Sequence, residues 1–317
     1  MEKRNLGNSG LQVAPLAFGG NVFGWTADEK TSFALLDAFV DAGFNLIDTA
    51  DNYSHWVPGN KGGESEIIIG KWLRQSGKRD QVVIATKVGG AFPGGKKDLS
   101  KAYILKAAED SLRRLQIDTI DLYQSHWDDD VTPVSETMEA YAQLAQQGKV
   151  RMVGASNLSP ERLQQSIDHS RQHSLPVYQT LQPEYNLYHR QRFEQEYLPI
   201  CKKEGLGVLN YYALASGFLT GKYRTEADAA KSARGEGIVK TYLNERGLRI
   251  LRALDEVAER TNTNPATVSL AWLIAQPTVV APIASATSID QLAELIKATS
   301  LQLSQEDLQQ LNEASAY

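Results

Sequence analysis

Eight short apolar runs recur along the chain, and segments with helical periodicity separate them. In chain order the runs read PLAFGG, FNLIDT, QVVIATK, TIDLYQSH, VRMVGAS, PVYQTLQ, LGVLNYY and TVVAPIAS. Between them lie segments such as DEKTSFALLDAFVDAG and SKAYILKAAEDSLRRLQI, several of which begin at a capping residue and end at glycine. Strands that alternate with helices indicate parallel βαβ units. Eight units favour a closed (β/α)8 TIM barrel over an open doubly wound sheet, because a closed sheet has no unpaired edge strand.

Three segments lie outside this repeat. Residues 2–13 have the pattern of a β-hairpin, a long connection from Leu219 to Asn244 follows the seventh run, and a tail from Ser304 to Tyr317 predicts an extra C-terminal helix. No low-complexity segment or long linker divides the 317 residues. We therefore expect one α/β barrel domain over residues 1–317, with an N-terminal hairpin and a long loop after strand seven.

Charge and composition narrow the classes of partner. The formal net charge is -5 and the Lys and Arg residues form no block, so we expect no nucleic-acid partner. The N-terminus MEKRNLGNSG is polar, and no segment approaches the ~20 apolar residues that span a bilayer, so we expect a cytoplasmic protein with no membrane partner. The single cysteine, Cys201, excludes an internal disulfide and a thiolate metal cluster, and we predict no metal site.

Four titratable residues fall at the carboxyl ends of neighbouring predicted strands. Asp48 ends the second strand, Tyr53 lies in the loop beyond it, Lys87 ends the third strand and His126 ends the fourth. In such barrels these strand ends face a common mouth. Taken alone, each residue has a structural explanation, such as capping, packing or contact with water. Together they are harder to explain that way, because a buried lysine must be paired or hydrated and Asp48 lies on the adjacent strand.

This set of side chains suits general-acid catalysis by a phenol. Free tyrosine has a pKa of about 10, which is too high for an efficient donor near neutrality. A nearby ammonium group on Lys87 would lower the pKa of Tyr53, and Asp48 would hold that ammonium in place. Neutral His126 could donate a hydrogen bond to a substrate carbonyl. Since no side chain supplies a hydride, a nicotinamide cofactor is implied.

The sequence resembles the aldo-keto reductases over nearly its whole length. The matching motifs are GFNLIDTADNY, GGESEIIIGKWL, ATKVG, QSHWDD, GKVRMVGASN and YYALASGFLTGKY. The resemblance implies a (β/α)8 barrel that binds an extended NADPH without a Rossmann domain, with Asp48, Tyr53, Lys87 and His126 as the catalytic tetrad. Consistent with this, GLGVLN has only two of the Rossmann glycines and leads into a strand. The motif LASGFLTGKY is closest to the branch that contains bacterial aldehyde and sugar reductases and potassium-channel β subunits.

The resemblance also assigns residues to the cofactor. Ser156, Asn157 and Gln182 would bind the nicotinamide carboxamide, and Tyr211 would stack under the ring, although core packing is the alternative for this tyrosine. Small residues, together with Lys222 and Arg234, would hold the pyrophosphate. The full set of expected cofactor residues is Gly20, Asn21, Asp48, Ser156, Asn157, Gln182, Tyr211, Tyr212, Ala213, Leu214, Ala215, Ser216, Lys222, Arg234, Ser285, Thr287, Gln291 and Glu294.

The adenosine end departs from the pattern of many relatives. Where those relatives place Lys and Arg for the 2'-phosphate, IASATSIDQLAEL supplies Ser285, Thr287, Gln291 and Glu294. The charge clamp is therefore weaker. NADPH remains the expected cofactor because channel-β-like relatives hold NADP with a similar set, and NADH is an alternative.

The substrate is the least constrained element. An insert, HWVPGNKGGESE, follows Tyr53, and its Trp56 could form a substrate wall with Trp127 and Phe23 or could contact a second copy of the chain. We expect a small aldehyde or an aldose-like sugar, with hydroxyl partners from residues Asp51, Asn52, His55 and Asn60. The sequence does not decide between a monomer and a homo-oligomer.

Three classes of function remain open from the sequence. The first is an NADPH-dependent carbonyl reductase, or the reverse alcohol dehydrogenase. The second is a cofactor-binding regulatory subunit with incidental turnover. The third is a Schiff-base lyase that uses Lys87. Asp48 counts against the third, because a salt-bridged lysine stays protonated.

Overall fold

A parallel β-sheet forms the centre of the computed structural model, which describes residues 2–92, 94–232 and 234–317. An antiparallel hairpin of β1 (Arg4–Asn5) and β2 (Gln12–Val13) precedes it. The barrel strands are β3 (Ala17–Gly19), β4 (Leu46–Asp48), β5 (Val83–Val88), β6 (Ile120–Ser125), β7 (Val150–Ala155), β8 (Thr180–Leu181), β9 (Gly207–Val208) and β10 (Ile283–Ala284). These eight strands pair in parallel in the order β10-β3-β4-β5-β6-β7-β8-β9.

Backbone hydrogen bonds join the two ends of this order. The amide of Val280 donates to the carbonyl of Val208, and the amide of Ile283 donates to that of Asn210, both at 2.9 Å. The sheet is therefore a (β/α)8 barrel, as the eight apolar runs predict, and the predicted N-terminal hairpin is confirmed. The last three strands are only two residues long, much shorter than the runs that contain them.

Helices surround the sheet and follow the strands along the chain. They are α1 (Glu29–Asp41), α2 (Glu64–Ser76), α3 (Lys101–Leu115), α4 (Val134–Gln146), α5 (Pro160–Gln172), α6 (Leu198–Glu204), α7 (Gly235–Tyr242), α8 (Glu245–Arg260), α9 (Pro265–Ile274), α10 (Ile289–Lys297) and α11 (Gln305–Ala314). Several begin at a side-chain cap, as at Asp28 and Ser100, which accept hydrogen bonds from backbone amides three residues onward. Within the described residues, no helix has the length and apolar character needed to span a bilayer.

Two segments outside the repeat have regular structure. The connection from 219 to 244 contains a 3-10 turn (Glu226–Lys231) and α7, with Ala233 outside the described residues. The predicted C-terminal helix is α11, which begins at a capping box formed by Ser304 and Asp307.

Strand alternation decides which side chains point into the barrel. One apolar cluster, which includes Leu46, Val83, Ala85 and Leu122, fills the interior, and a larger one lies between sheet and helices. Because successive side chains point to opposite faces, the inward positions continue from these residues to Asp48, Lys87 and Gln124. The barrel therefore places its polar side chains at the carboxyl end of its own core.

Candidate active site

A buried ion pair lies at the carboxyl ends of β4 and β5. The Lys87 Nζ atom lies 2.7 Å from the Asp48 Oδ2 atom and donates to the backbone carbonyl of Thr49 at 2.7 Å. It also lies 3.1 Å from the Tyr53 hydroxyl oxygen and 4.7 Å from the centre of the tyrosine ring. The three N–H groups of the ammonium therefore have three oxygen partners.

The ion pair keeps Lys87 charged although no part of the side chain is exposed. Burial disfavours the ammonium, but Asp48 and Tyr53 together outweigh it and raise the pKa of Lys87 above its ordinary value. A protonated lysine is not a nucleophile. This site therefore argues against Schiff-base chemistry at Lys87.

The acidity of Tyr53 differs from the expected lowering. Desolvation of the hydroxyl raises its pKa above 10 by more than the charge of Lys87 lowers it, and Asp48 adds to the increase. Tyr53 as a whole is only partly buried. Lys87 thus lowers the pKa of Tyr53, as predicted. Burial raises that pKa by more, and the sequence does not reveal this larger effect.

His126 follows β6 and faces the tyrosine. Its ring centre lies 5.8 Å from that of Tyr53, and its Nδ1 atom has no hydrogen-bond partner among the described residues. Desolvation, followed by the charges of Lys87 and His55, lowers the pKa of His126 well below 6.5. The imidazole is therefore neutral and carries a single N–H near neutral pH.

Two glutamine amides hold the second oxygen of Asp48. The Nε2 atom of Gln182 donates to the Oδ1 atom at 2.8 Å, and that of Gln124 lies 3.4 Å away. Gln182 was predicted to contact a cofactor, whereas here its amide nitrogen is directed at the carboxylate. Gln124 was missed, although the inward alternation of TIDLYQSH places it in line with His126.

A cavity of about 610 Å³ is lined by Ser156, Asn157, Gln182 and Tyr211, and it meets the group around Asp48 through Gln182. The Tyr211 hydroxyl donates to the Asn157 Oδ1 atom at 2.8 Å, and the Asn157 Nδ2 atom donates to the carbonyl of His126 at 2.9 Å. The Ser156 hydroxyl donates to the carbonyl of Gln182 at 2.7 Å. Hydroxyl and amide groups are thus already ordered along one wall of the cavity.

The loop after β9 has an unusual backbone. Tyr212, Ala215, Ser216 and Gly217 all have positive φ angles between 47° and 94°. Ala215, Ser216 and Gly217 are three left-handed residues in a row, and the amides of Ala215 and Gly217 donate to the carbonyls of Tyr212 and Leu214 at 2.7 and 2.8 Å, which makes the turn tight. The predicted cofactor residues Tyr212, Ala213, Leu214, Ala215 and Ser216 lie in this loop, and the last three belong to the motif LASGFL that was expected to hold the pyrophosphate.

The two predicted cations differ in their surroundings, and only Lys222 is in contact with this loop. The ammonium of Lys222 lies about 5.0 Å from the ring of Tyr223 and close to the space beside Gly217. The guanidinium of Arg234 stacks over Trp25, 5.1 Å from its ring centre. Arg234 therefore reaches from the long connection to the loop after β3.

Each of the predicted adenosine residues already has a polar partner within the protein. The Ser285 hydroxyl donates to the carbonyl of Gly19 at 2.8 Å and lies 2.7 Å from the Asn21 Oδ1 atom. The Gln291 Oε1 atom accepts from both the amide and the hydroxyl of Thr287. Glu294 forms an ion pair with Lys297 and accepts a hydrogen bond from the Asn264 amide. At the first barrel strand, the carbonyl of Gly20 accepts a hydrogen bond from the Ser65 hydroxyl. The predicted residues Gly20 and Asn21 thus lie beside Ser285.

The aromatic wall differs in one member from the prediction. Trp56 and Trp127 are about 40% exposed and lie beside Tyr53 and His126, with ring centres 5.5 Å and 6.2 Å apart respectively. Phe23, the third residue predicted for this wall, has a fully buried ring, and its role in the wall stays a prediction. A 3-10 turn at Gly20–Val22 directs that ring into the core, where it stacks on Phe18 at 5.3 Å. Trp25, which was not predicted, packs against Trp56 at 5.7 Å instead.

The expected hydroxyl partners are mostly inaccessible. Asp51 and Asn52 are 1% and 5% exposed. The Asn60 amide donates to the carbonyls of Gly24 and Ser54, and the His55 Nδ1 atom lies 2.8 Å from the carbonyl of Asn52. These side chains hold the insert together, which removes the main sequence argument for a polyhydroxylated substrate.

The chain is similar to known proteins over almost its whole length. An uncharacterised oxidoreductase of Bacillus subtilis (strain 168), YrpG, is 35% identical over 320 residues, covering 99% of this chain and 95% of the relative. A probable voltage-gated potassium channel subunit beta of Oryza sativa subsp. japonica is 34% identical over 306 residues, covering 94% and 91%. L-glyceraldehyde 3-phosphate reductase of Escherichia coli (strain K12) is 32% identical over 327 residues, covering 99% and 92%.

The sequence profile of the Aldo/keto reductase family matches residues 15–316. Its members are oxidoreductases that act on carbonyl groups and generally use NAD(P)H. With this match and the identities above, the chain belongs to the aldo/keto reductase family.

Proposed function

We propose that this protein reduces an aldehyde or ketone to the alcohol with NADPH, in a single domain over residues 1–317, with Tyr53 as the general acid. The observation that carries the proposal is the buried contact of Lys87 with both Asp48 and the Tyr53 hydroxyl, at 2.7 and 3.1 Å. A proton donor, a fixed cation and a neutral imidazole then face one space. That combination suits protonation of a developing alkoxide.

Lys87 acts on Tyr53 in two ways in this proposal. Its charge stabilises the phenolate that remains after proton transfer, and its N–H group fixes the hydroxyl in the mouth. Asp48 holds the ammonium, and the amides of Gln182 and Gln124 hold Asp48. The acid is thereby supported by a chain of buried polar contacts.

His126 orients the substrate carbonyl. Since its ring is neutral, it donates one N–H, and donation from Nε2 to the carbonyl oxygen polarises the carbon. The same oxygen then lies between the imidazole and the phenol, whose ring centres are 5.8 Å apart. Donation from His126 favours accumulation of negative charge on the oxygen that Tyr53 protonates.

The residues of the mouth suit a nicotinamide nucleotide, which when bound would supply the hydride. Ser156, Asn157 and Gln182 offer the amide and hydroxyl groups that a carboxamide needs, and Tyr211 lines the same cavity. The loop with positive φ angles at Tyr212, Ala215 and Ser216, together with Lys222 and Arg234, would receive the pyrophosphate. Ser285, Thr287, Gln291 and Glu294 would lie along the adenosine, where NADH is the alternative to NADPH.

For the substrate, a small aldehyde is favoured over a sugar. One relative is named L-glyceraldehyde 3-phosphate reductase, which supports a short aldehyde. Trp56 and Trp127 offer apolar faces beside the acid, while Asp51 and Asn52 are buried and cannot serve substrate hydroxyls. Aldose-like sugars remain a second substrate class for testing.

A regulatory subunit with incidental turnover is the second candidate function. The 34% identity to a probable potassium channel subunit beta favours it. The two candidates differ in turnover, so oxidation of NADPH should be measured against a panel of aldehydes, ketones and aldoses. Absence of turnover with every carbonyl would move the assignment to the second candidate.

The Tyr53→Phe substitution tests the proposed acid. Because it removes only the hydroxyl, we expect carbonyl reduction to fall by about two to four decades while cofactor affinity is retained. Lys87→Met should cause a comparable loss, and the double variant should be little worse than Tyr53→Phe, since the lysine acts through the phenol.

A matched control is Tyr123→Phe, because the Tyr123 hydroxyl is buried and has no partner in the part of the chain that the structure describes. We expect this control to keep its reductase activity. Full activity in Tyr53→Phe would exclude the proposed acid, and additive losses in the Tyr53/Lys87 pair would exclude the coupling.

A further inference from the structure

The side chains of His126 and Asn52 approach each other across Gly90, and each has one buried polar atom that lacks a partner among the described residues. The Nδ1 atom of His126 and the Oδ1 atom of Asn52 have no hydrogen-bond partner among the described residues. A Cβ atom added to Gly90 would lie 2.5 Å from the Asn52 Nδ2 atom and 2.9 Å from the His126 Nδ1 atom. Both nitrogens therefore border the space that the glycine leaves open.

The orientation of the Asn52 amide is determined by its surroundings. Its Nδ2 atom lies 3.2 Å from the carbonyl oxygen of Ala91, and a flipped amide would place two acceptors against each other there. An amide nitrogen has two N–H groups. The contact with Ala91 uses one, and the second has no acceptor in the part of the chain that the structure describes.

We infer that Asn52 is a positioning residue that donates this second N–H to the Nδ1 atom of His126 and thereby holds the imidazole as its Nε2–H tautomer. Rotation of the ring or the amide closes the remaining gap, because both lie against Gly90, which has no side chain. The backbone of His126 is fixed, since its amide donates to Val88 at 2.8 Å and its carbonyl accepts from Asn157 at 2.9 Å. The adjustment is therefore made by the side chains, through rotation of the ring or the amide.

The inference rests on the proposed function and deepens it. A neutral imidazole has one donor and one acceptor nitrogen, and donation to a substrate carbonyl requires the proton on Nε2. A donor at Nδ1 stabilises that tautomer, whereas an acceptor at Nδ1 stabilises the other. In serine proteases a wrongly held tautomer lowers kcat by about four decades.

The test reads the tautomer directly, without cofactor or substrate. The five histidines are labelled with 15N, and the signal of His126 is assigned by its loss in His126→Gln. We expect the Nε2–H tautomer in the unmodified protein. In Asn52→Leu, which has a similar size but no donor, the ratio of Nε2–H to Nδ1–H should fall by about tenfold, the factor that one hydrogen bond contributes.

A second variant reverses the polarity of the contact. Asn52→Asp presents an acceptor, so the Nδ1 atom should carry a proton, and 15N shifts distinguish the two neutral tautomers from the imidazolium. The titratable groups near the ring are Tyr53, Lys87 and His55, and all three are unchanged in this variant. If Asn52→Leu fails to fold, Gly90→Ala serves instead, because its methyl group separates the two nitrogens.

The matched control is Asn60→Leu, which removes an amide of the same insert that donates to Gly24 and Ser54. The tautomer of His126 should not change in this control. The inference is overturned if the unmodified protein holds the Nδ1–H tautomer, if Asn52→Leu leaves the ratio unchanged, or if Asn60→Leu shifts it equally.

The outcome is distinguishable from a failure of the proposed function. A shifted tautomer in Asn52→Leu, combined with full reductase activity in His126→Gln, would leave the contact standing and exclude the role of His126 in catalysis. If Asn52 holds the tautomer and His126 acts in catalysis, Asn52→Leu should lower kcat/KM for carbonyl reduction while the Kd for the cofactor stays constant.

Discussion

The Lys87→Met substitution should strongly destabilise the fold, independently of any catalytic role. Methionine has a similar length, but it removes the donor to Asp48, Thr49 and Tyr53 at 2.7, 2.7 and 3.1 Å. Asp48 is 3% exposed, so its charge would remain buried, and its partners among the described residues would be the two glutamine amides. Removal of one member of a buried ion pair costs about 3–5 kcal/mol.

Protonation of Asp48 sets an upper limit on the stability lost in Lys87→Met. Asp48 can escape its unpaired charge by taking up a proton, and for an ordinary aspartate this costs about 4 kcal/mol at pH 7 and about 1.5 kcal/mol at pH 5. The free energy of unfolding of Lys87→Met should therefore be lower by about 3–5 kcal/mol at pH 7, and the penalty should shrink in acid. In Asp48→Asn/Lys87→Met no charge remains, so most of the loss should be recovered.

Urea unfolding without cofactor, followed by both tryptophan fluorescence and circular dichroism, measures these differences where the two transitions coincide. Lys71→Met is the control, because Lys71 and Glu29 form an ion pair that is about half exposed, and it should cost less than about 1 kcal/mol. A Lys87→Met protein within about 1 kcal/mol of the unmodified one would refute the argument. So would a double variant that is no more stable than Lys87→Met.

Two further outcomes are expected. Both nicotinamide nucleotides should quench tryptophan or tyrosine fluorescence, with NADPH binding more tightly if Ser285, Thr287, Gln291 and Glu294 bind the adenosine ribose; a Kd for NADH at least tenfold lower, about 1.4 kcal/mol, would contradict this assignment. Asp51→Asn should change how the stability depends on pH. Burial, and then the charge of Glu66, raise the pKa of Asp51 well above 3.8. Both of its carboxylate oxygens lack hydrogen-bond partners within the described residues. The folded protein therefore retains a proton that the unfolded chain loses above about pH 4, so the stability that Asp51 contributes falls as the pH rises through its folded pKa. Asp51→Asn should remove this fall, so its gain in the free energy of unfolding over the unmodified protein should be largest at neutral pH. Urea midpoints of the two proteins that stay parallel from pH 4 to pH 8 would contradict this prediction.

The sequence predicts those parts of the site that depend on strand periodicity. Asp48 and Lys87 occupy inward positions because they continue the alternation of Leu46 and Val83, and a sequence pattern contains that information. Eight alternating units likewise determine the barrel and the edge at which its polar residues meet. His126 follows from the same periodicity one strand further along.

Loop geometry and the balance of burial against charge are not contained in such a pattern. The direction of Phe23 depends on a single 3-10 turn at Gly20–Val22, which no periodicity indicates. The raised pKa of Tyr53 depends on how much protein surrounds one hydroxyl, and residue types alone do not give that quantity. Burial of Asp51 and Asn52 has the same origin, because both precede a loop whose path the sequence leaves open.

The order of synthesis has a consequence for this barrel. The hydroxyl of Ser285 bonds the carbonyl of Gly19, although the two residues are 266 positions apart. A ribosome that adds about 5 to 20 residues per second needs roughly 13 to 53 seconds to make that interval.

For all of that time β3 lacks its neighbour β10, and its edge is available to any other strand. Because β3 is only three residues long, that edge is a poor template for misassembly. The loop that carries Gly20 and Asn21 is therefore among the first parts of the mouth to be synthesised and among the last to gain its partner.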